Sequence, residues 1–170
     1  MKTKLFLLMI LFVISLPLSF SQEKSKKTLR KEQKIEHQKQ IAAMVNSKEF
    51  TFVANRALPQ GYQSVDMTTN PNSLKFQPEM IESYMPFFGR AYNVKYGNDT
   101  GLKFKGKPDE FSVKTIKKGY EVKAKVAGLN DFYDLFLTIG PDGNASLTIT
   151  SNNRSTITYY GNIEAEKNTK

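Results

Sequence analysis

The chain has no cysteine, no tryptophan and one histidine in 170 residues. Without cysteine there is no disulfide framework, no thiolate nucleophile, no zinc cluster and no iron–sulfur site. Nor is there a cysteine near the N-terminus to carry a lipid. One histidine excludes a two-histidine metal face and leaves at most one Ser–His or Glu–His pairing. That residue, His37, stands between Glu36 and Gln38 in a lysine-rich stretch, away from any other catalytic group. Long apolar runs are scarce as well: Leu5–Leu18 is the one such run. What remains is ordinary, with 39% hydrophobic and 24% charged residues, as in a soluble folded protein. The length fits one domain with appendages.

The apolar run has the form of an export signal. Lys2 and Lys4 precede it, and Ser19-Phe20-Ser21 puts small residues where a signal peptidase reads. Its 14 residues fall short of the roughly 20 needed to span a bilayer. Residues 1–21 are therefore expected to be removed near Ser21-Gln22. The mature protein is then periplasmic or extracellular.

Residues 22–48 carry eight basic and three acidic residues and no Gly or Pro. Leu29, Ile35, Ile41, Ala42 and Val45 form a thin apolar stripe, which predicts a helix from about Thr28 to Val45. This segment holds +5 of the formal +9, while residues 49–170 hold only +2. On the exported side such a helix does not meet nucleic acid. It remains able to make weak contact with an anionic membrane surface, although it lacks Trp and Phe for deep insertion. The plainer alternative is a solvated helix leaning on the domain.

From Phe50 the period becomes two. Phe50-Phe52-Ala54, Ser64–Thr68 and Ser73–Phe76 are short strand candidates, bounded by Pro59-Gln60-Gly61, Asn70-Pro71-Asn72 and Pro78. Phe111–Lys114, Tyr120–Val126, Tyr133–Ile139, Ala145–Thr150 and Ile157–Ile163 follow, with turns at 117–119, 127–130, 140–143 and 151–154. Such tight connections require antiparallel neighbours. The fold expected over residues 49–165 is mainly β: a single curved antiparallel meander or open barrel of about seven or eight strands, with one N-terminal helix. A two-sheet sandwich is the alternative, and 166–170 form a polar tail. Phe132 and Phe136 fall on the face opposite Leu135 and Leu137, so part of the second face is aromatic. The stripe of the N-terminal helix is its expected cover, ahead of a hydrophobic ligand.

Several segments together carry a resemblance. Asn55-Arg56-Ala57-Leu58-Pro59, Pro86-Phe87-Phe88-Gly89-Arg90-Ala91-Tyr92, Gly119-Tyr120-Glu121 and Ser151-Asn152-Asn153-Arg154 occur in this order, ending in Tyr159-Tyr160-Gly161. Over about Glu49–Ile163 the chain resembles domain of unknown function family 4251, small exported bacterial proteins. The resemblance implies a signal-bearing, single-domain envelope protein. It implies no activity, cofactor or catalytic residue. Many relatives carry an early cysteine and look like lipoproteins; this chain departs from that pattern.

Catalytic motifs are absent or fail on physical grounds. Gly101-Leu102-Lys103-Phe104-Lys105-Gly106-Lys107 fits a phosphate-binding pattern until Pro108, which offers neither hydroxyl nor N–H. Leu102–Lys105 alternates like a strand instead. Asp131 and Asp134 fall on opposite faces of one strand. Glu79 and Glu82 could pair on a helix, but nothing places them in a cleft. Asn98 and Asp99 lack the spacing of a calcium loop.

The strongest constellation is aromatic and cationic: Tyr84, Phe87, Phe88, Arg90, Tyr92 and Tyr96, with Asn152, Asn153 and Arg154 in a hairpin turn. Stacking faces, a guanidinium fork and amide donors suit a sugar, carboxylate or phosphate. The structural reading of the same residues has Phe87 and Phe88 plugging one end of the sheet. Gly89 then takes a positive φ, Arg90 satisfies backbone carbonyls, and the asparagines tolerate left-handed turn geometry. The expected function is a non-enzymatic envelope binding module for an unknown small ligand, with no cofactor and no metal. The alternative is a structural or interaction component that docks another envelope protein.

Overall fold

Apolar–polar alternation makes a strand wherever one side meets a core and the other meets water. The computed structural model describes residues 26–92, 101–129 and 131–166, and ten segments there follow that rule. They are β1 (Phe50–Pro59), β2 (Val65–Asp66), β3 (Ser73–Gln77), β4 (Met80–Pro86), β5 (Gly101–Gly106), β6 (Pro108–Ile116), β7 (Gly119–Ala127), β8 (Phe132–Ile139), β9 (Asn144–Ser151) and β10 (Ile157–Glu164). One helix, α1 (Lys26–Ser47), precedes them. By internal packing the chain divides after Gln33. The described part of the first unit, residues 26–33, is one exposed stretch of helix. The second unit holds the rest of α1 and every strand.

All strand pairs are antiparallel, in the order β5-β4-β3-β1-β10-β9-β8-β7-β6, with β2 beside β1. The last strand returns to the first, as in Phe52↔Ile163 and Ala57↔Tyr159. Only Lys107 separates β5 from β6. They form one long strand that pairs with β4 over its first half and with β7 over its second. The result is an up-and-down barrel closed except along the seam where that strand changes partners. Pro108 marks the change. It cannot donate to a ladder, and the register slips between Pro108 and Glu110. The expected antiparallel open barrel is therefore observed, with ten strands rather than seven or eight. The two-residue β2 and the division of one long strand account for the difference. The segment 101–106 is strand, not phosphate loop, and Glu79 and Glu82 pair separately with Lys107 and Lys105.

The inner face is closely filled. Phe50 stacks on Phe76 at 4.7 Å and Phe104 on Tyr133 at 4.1 Å. Leu74, Ile81, Leu102, Leu137, Leu147 and Ile157 are buried beside them. Each such side chain contributes about 1.5–3 kcal/mol. Gly161 permits the closure of β10 on β1, since a Cβ there would strike the Val53 carbonyl.

The helix ends in a Schellman turn. Lys48 takes a positive φ of 61°, its N–H donates to Val45 O at 3.2 Å, and Glu49 N–H donates to Met44 O at 3.3 Å. Ile41 and Val45 are the buried helix residues. Ile41 packs at the β8–β9 turn, where a Cβ on Gly143 would lie 2.8 Å from its Cδ1. Asp142 of that turn meets Lys34 at 3.7 Å and Gln38 at 3.1 Å, and its carbonyl meets His37 Nε2 at 3.2 Å. These contacts are exposed and individually weak; Ile41 and Val45 hold this part of the helix. The expected cover of Phe132 and Phe136 does not form: they are 63% and 40% exposed. Two buried residues suffice to close a barrel end but not to cover a sheet face. Among the described residues no helix is long and apolar enough to cross a membrane. The expected signal segment 1–21 and its expected cleavage point, Asn98-Asp99 and residues 167–170 of the tail lie outside the described residues.

Candidate functional site

At the barrel end opposite Ile41, the chain leaving β4 crosses to the β9–β10 hairpin and is pinned there by its backbone. Ser155 N–H donates to Arg90 O at 2.9 Å and Tyr92 N–H donates to Asn153 O at 2.8 Å. Arg90 N–H donates to Ser155 Oγ at 3.0 Å, and Ala91 bridges to Arg154. From inside the barrel, Tyr159 Oη donates to Pro86 O at 2.6 Å. The Phe87 ring lies under the Arg154 guanidinium at 5.6 Å. Arg154 is 8% exposed, and Phe87 and Phe88 are partly buried against the core. These residues form a plug. Gly89 belongs to it for lack of space, since a Cβ would lie 2.6 Å from Phe87 Cζ and against Ser155 Oγ. Its φ is not positive, contrary to the sequence expectation.

Asp131 fixes the hairpin from the other side. Its buried carboxylate accepts from Ser151 Oγ at 2.7 Å, Asn152 N–H at 3.0 Å and Phe132 N–H at 2.9 Å. The Asn152-Asn153 turn is thus held by a carboxylate rather than by left-handed backbone. Burial pushes the Tyr159 hydroxyl far above its ordinary range, and the Arg154 charge offsets part of that rise.

Outside the plug lies a second, exposed group. Arg90 Nε donates to Tyr62 Oη at 3.1 Å, with the guanidinium 6.0 Å from the Tyr62 ring centre. This hydrogen bond raises the Arg90 pKa. Tyr62 is 49% and Tyr92 67% exposed. The sequence-singled residues therefore separate. Phe87, Phe88 and Arg154 are inside the plug. Arg90 and Tyr92 are on its surface, with Asn152 exposed and Asn153 half-buried nearby. Tyr84 belongs to neither group: it stands on the outer face of β4 under Lys103 Nζ at 5.1 Å. Tyr96 lies outside the described residues.

Sequence reading missed Tyr62, which looked only like a turn residue after Pro59-Gln60-Gly61. It also missed Asp131, whose role depends on a hairpin 20 residues away. The structural reading has Arg90 satisfying carbonyls with its side chain; instead its backbone does the pinning while its side chain faces Tyr62. Among the described residues, no three His, Asp or Glu side chains gather to hold a metal.

The model of a domain of unknown function, DUF4251, matches residues 32–163, from within α1 to the end of the barrel and including the whole plug. The chain belongs to the DUF4251 family. The crystal structure of a DUF4251 family protein from Bacteroides eggerthii matches at a TM-score of 0.59 and 22% identity, covering 76% of this chain and 88% of that one. At that identity the likeness bears on the fold alone. No curated protein matches. In this DUF4251 chain the match spans both layers of the site, the buried plug and the exposed Tyr62–Arg90–Tyr92 surface.

Proposed function

We propose that the protein is a non-enzymatic binding module of the cell envelope or its surroundings. Its binding face is the outer surface of the plug, and its ligand is an acidic sugar. The observation that carries this is Arg90, held on Tyr62 Oη at 3.1 Å, with Tyr62 and Tyr92 both exposed. Two aromatic faces offer stacking to sugar rings, and a fixed guanidinium offers a bidentate fork to a carboxylate. Rigidity favours the same reading. The backbone beneath Arg90 and Tyr92 is pinned to the β9–β10 hairpin, so little ordering entropy is spent on binding.

Calorimetric or NMR titration with short uronic-acid oligosaccharides, against their neutral counterparts, tests it. The acidic series binds, and Arg90→Ala weakens binding at least about tenfold, equivalent to about 1.4 kcal/mol. Equal binding of both series, or an unaffected Arg90→Ala, overturns it. A second reading, docking onto another envelope protein, is favoured by the exposed Phe132 and Phe136 on β8. The lysine-rich face of α1 adds weak attraction to an anionic membrane surface, about 1 kcal/mol for a lysine that comes near that surface.

A further inference from the structure

The seam leaves β6 with hydrogen-bonding groups on one side that no other described strand uses. β6 pairs with β7 alone and ends the strand order. Which peptide groups face outward follows from two observations. A two-residue turn, Lys117-Lys118, closes on the Ile116↔Gly119 pair. In so short a hairpin the closing pair is hydrogen-bonded, so Ile116, Lys114 and Ser112 face β7. On the other side, Lys48 Nζ donates to the Phe111 carbonyl at 3.2 Å, reaching it from away from β7. Phe111, Val113 and Thr115 therefore turn their N–H and C=O groups outward. That is an edge long enough to receive another strand.

Charge along this edge is asymmetric. Asp109 and Glu110 begin it, Glu110 lying 3.2 Å from Lys125 of β7; Lys114 stands near its end, before the Lys117-Lys118 turn. A strand laid antiparallel with its acidic start against this basic end is matched, and a second copy of the same edge is such a strand. We infer that the protein forms a two-fold dimer by antiparallel pairing of β6 with β6 of a second copy. In the register centred on Ser112, Phe111 faces Val113 and Glu110 faces Lys114, each twice by symmetry. The outward-facing parity makes Phe111↔Val113 the hydrogen-bonded pair, so pairing replaces Lys48 Nζ at the Phe111 carbonyl with the Val113 N–H of the second copy. The two barrels would share one sheet across the interface, and each sugar-binding surface stays at its own barrel end. This inference does not depend on the proposed ligand.

The test is the solution mass of the full chain, as recovered after expression with its own N-terminal segment, by sedimentation equilibrium over a concentration series. The expected mass is twice that of the chain, falling to the chain mass on dilution. Val113→Pro removes an outward N–H while leaving the β7 ladder intact, so it gives a folded monomer. Lys114→Glu sets Glu against Glu twice and also gives a monomer. The exchange Glu110→Lys with Lys114→Glu, made together with Lys125→Glu to keep the β7 ion pair of residue 110, restores the dimer. Should Val113→Pro fail to fold by circular dichroism, the charge exchange alone decides. A wild type that stays monomeric at NMR concentrations overturns the inference, leaving the edge to a foreign strand. A dimer unaffected by Val113→Pro or Lys114→Glu overturns it too, because another surface then makes the contact.

Discussion

Removing one oxygen from the plug, by Tyr159→Phe, should change both the stability of the protein and its response to alkali. The Tyr159 side chain is fully buried, and its hydroxyl donates to Pro86 O at 2.6 Å. The phenylalanine keeps the ring and its packing but leaves the Pro86 carbonyl without this donor. Such a loss costs about 1–3 kcal/mol at pH 7. The hydroxyl also titrates. In the unfolded chain its pKa is near the ordinary 10.0, and burial in the folded state raises it far above that. Above pH 10 the unfolded chain therefore loses a proton that the folded protein keeps. Stability contributed by this group is complete below the unfolded pKa and declines as pH rises. The decline reaches about 1.4 kcal/mol by pH 11.

Urea unfolding of wild type and Tyr159→Phe from pH 7 to pH 11 isolates the effect. Every other side chain is common to both proteins, and only the difference is read. The wild type should lead by about 1–3 kcal/mol at pH 7. That lead should shrink by about 1.4 kcal/mol at pH 11. A gap that stays constant across this range would refute the buried, protonated hydroxyl. A gap below about 0.5 kcal/mol at pH 7 would refute the hydrogen bond as a structural contributor.

Two further substitutions probe the other supports. Asp131→Ala strips the acceptor from Ser151 Oγ and from the Asn152 and Phe132 amides. It should cost about 2–3 kcal/mol and speed hydrogen exchange at Asn152 before the rest of the barrel, read by NMR. Ile41→Ala empties the apolar contact between α1 and the β8–β9 turn; with Ile41 1% exposed, the cost should be about 2–5 kcal/mol. Limited proteolysis should then cut within 34–47 faster than in the wild type, while the strands persist.

Much of the fold was legible locally. The sides of β7, β8, β9 and β10 follow from alternation, and their pairing follows from four- to five-residue turns that admit only antiparallel neighbours. The helix was legible within two residues at each end. The site was less so. Phe87 and Arg154 were singled out as members of one aromatic and cationic constellation, but sequence could not decide whether they lined a pocket or filled an end. Burial decided it. Tyr62 and Asp131 carried no local signal, because a turn tyrosine and a strand-start aspartate are commonplace until their partners arrive from elsewhere in the chain.

By itself, then, the sequence determined which side of each strand faces the core, where the chain turns, and that a lysine-rich helix precedes a β domain. Each of these rests on interactions between residues a few positions apart. Tertiary structure alone decided that β10 closes on β1, that one strand changes partners at Lys107-Pro108, and that α1 docks at the β8–β9 turn instead of over Phe132 and Phe136. The physical reason is that backbone donors and acceptors are the same along every strand. Pairing between segments a hundred residues apart is chosen by barrel curvature and by how side-chain volumes fill the interior, and neither is written in any short window of sequence.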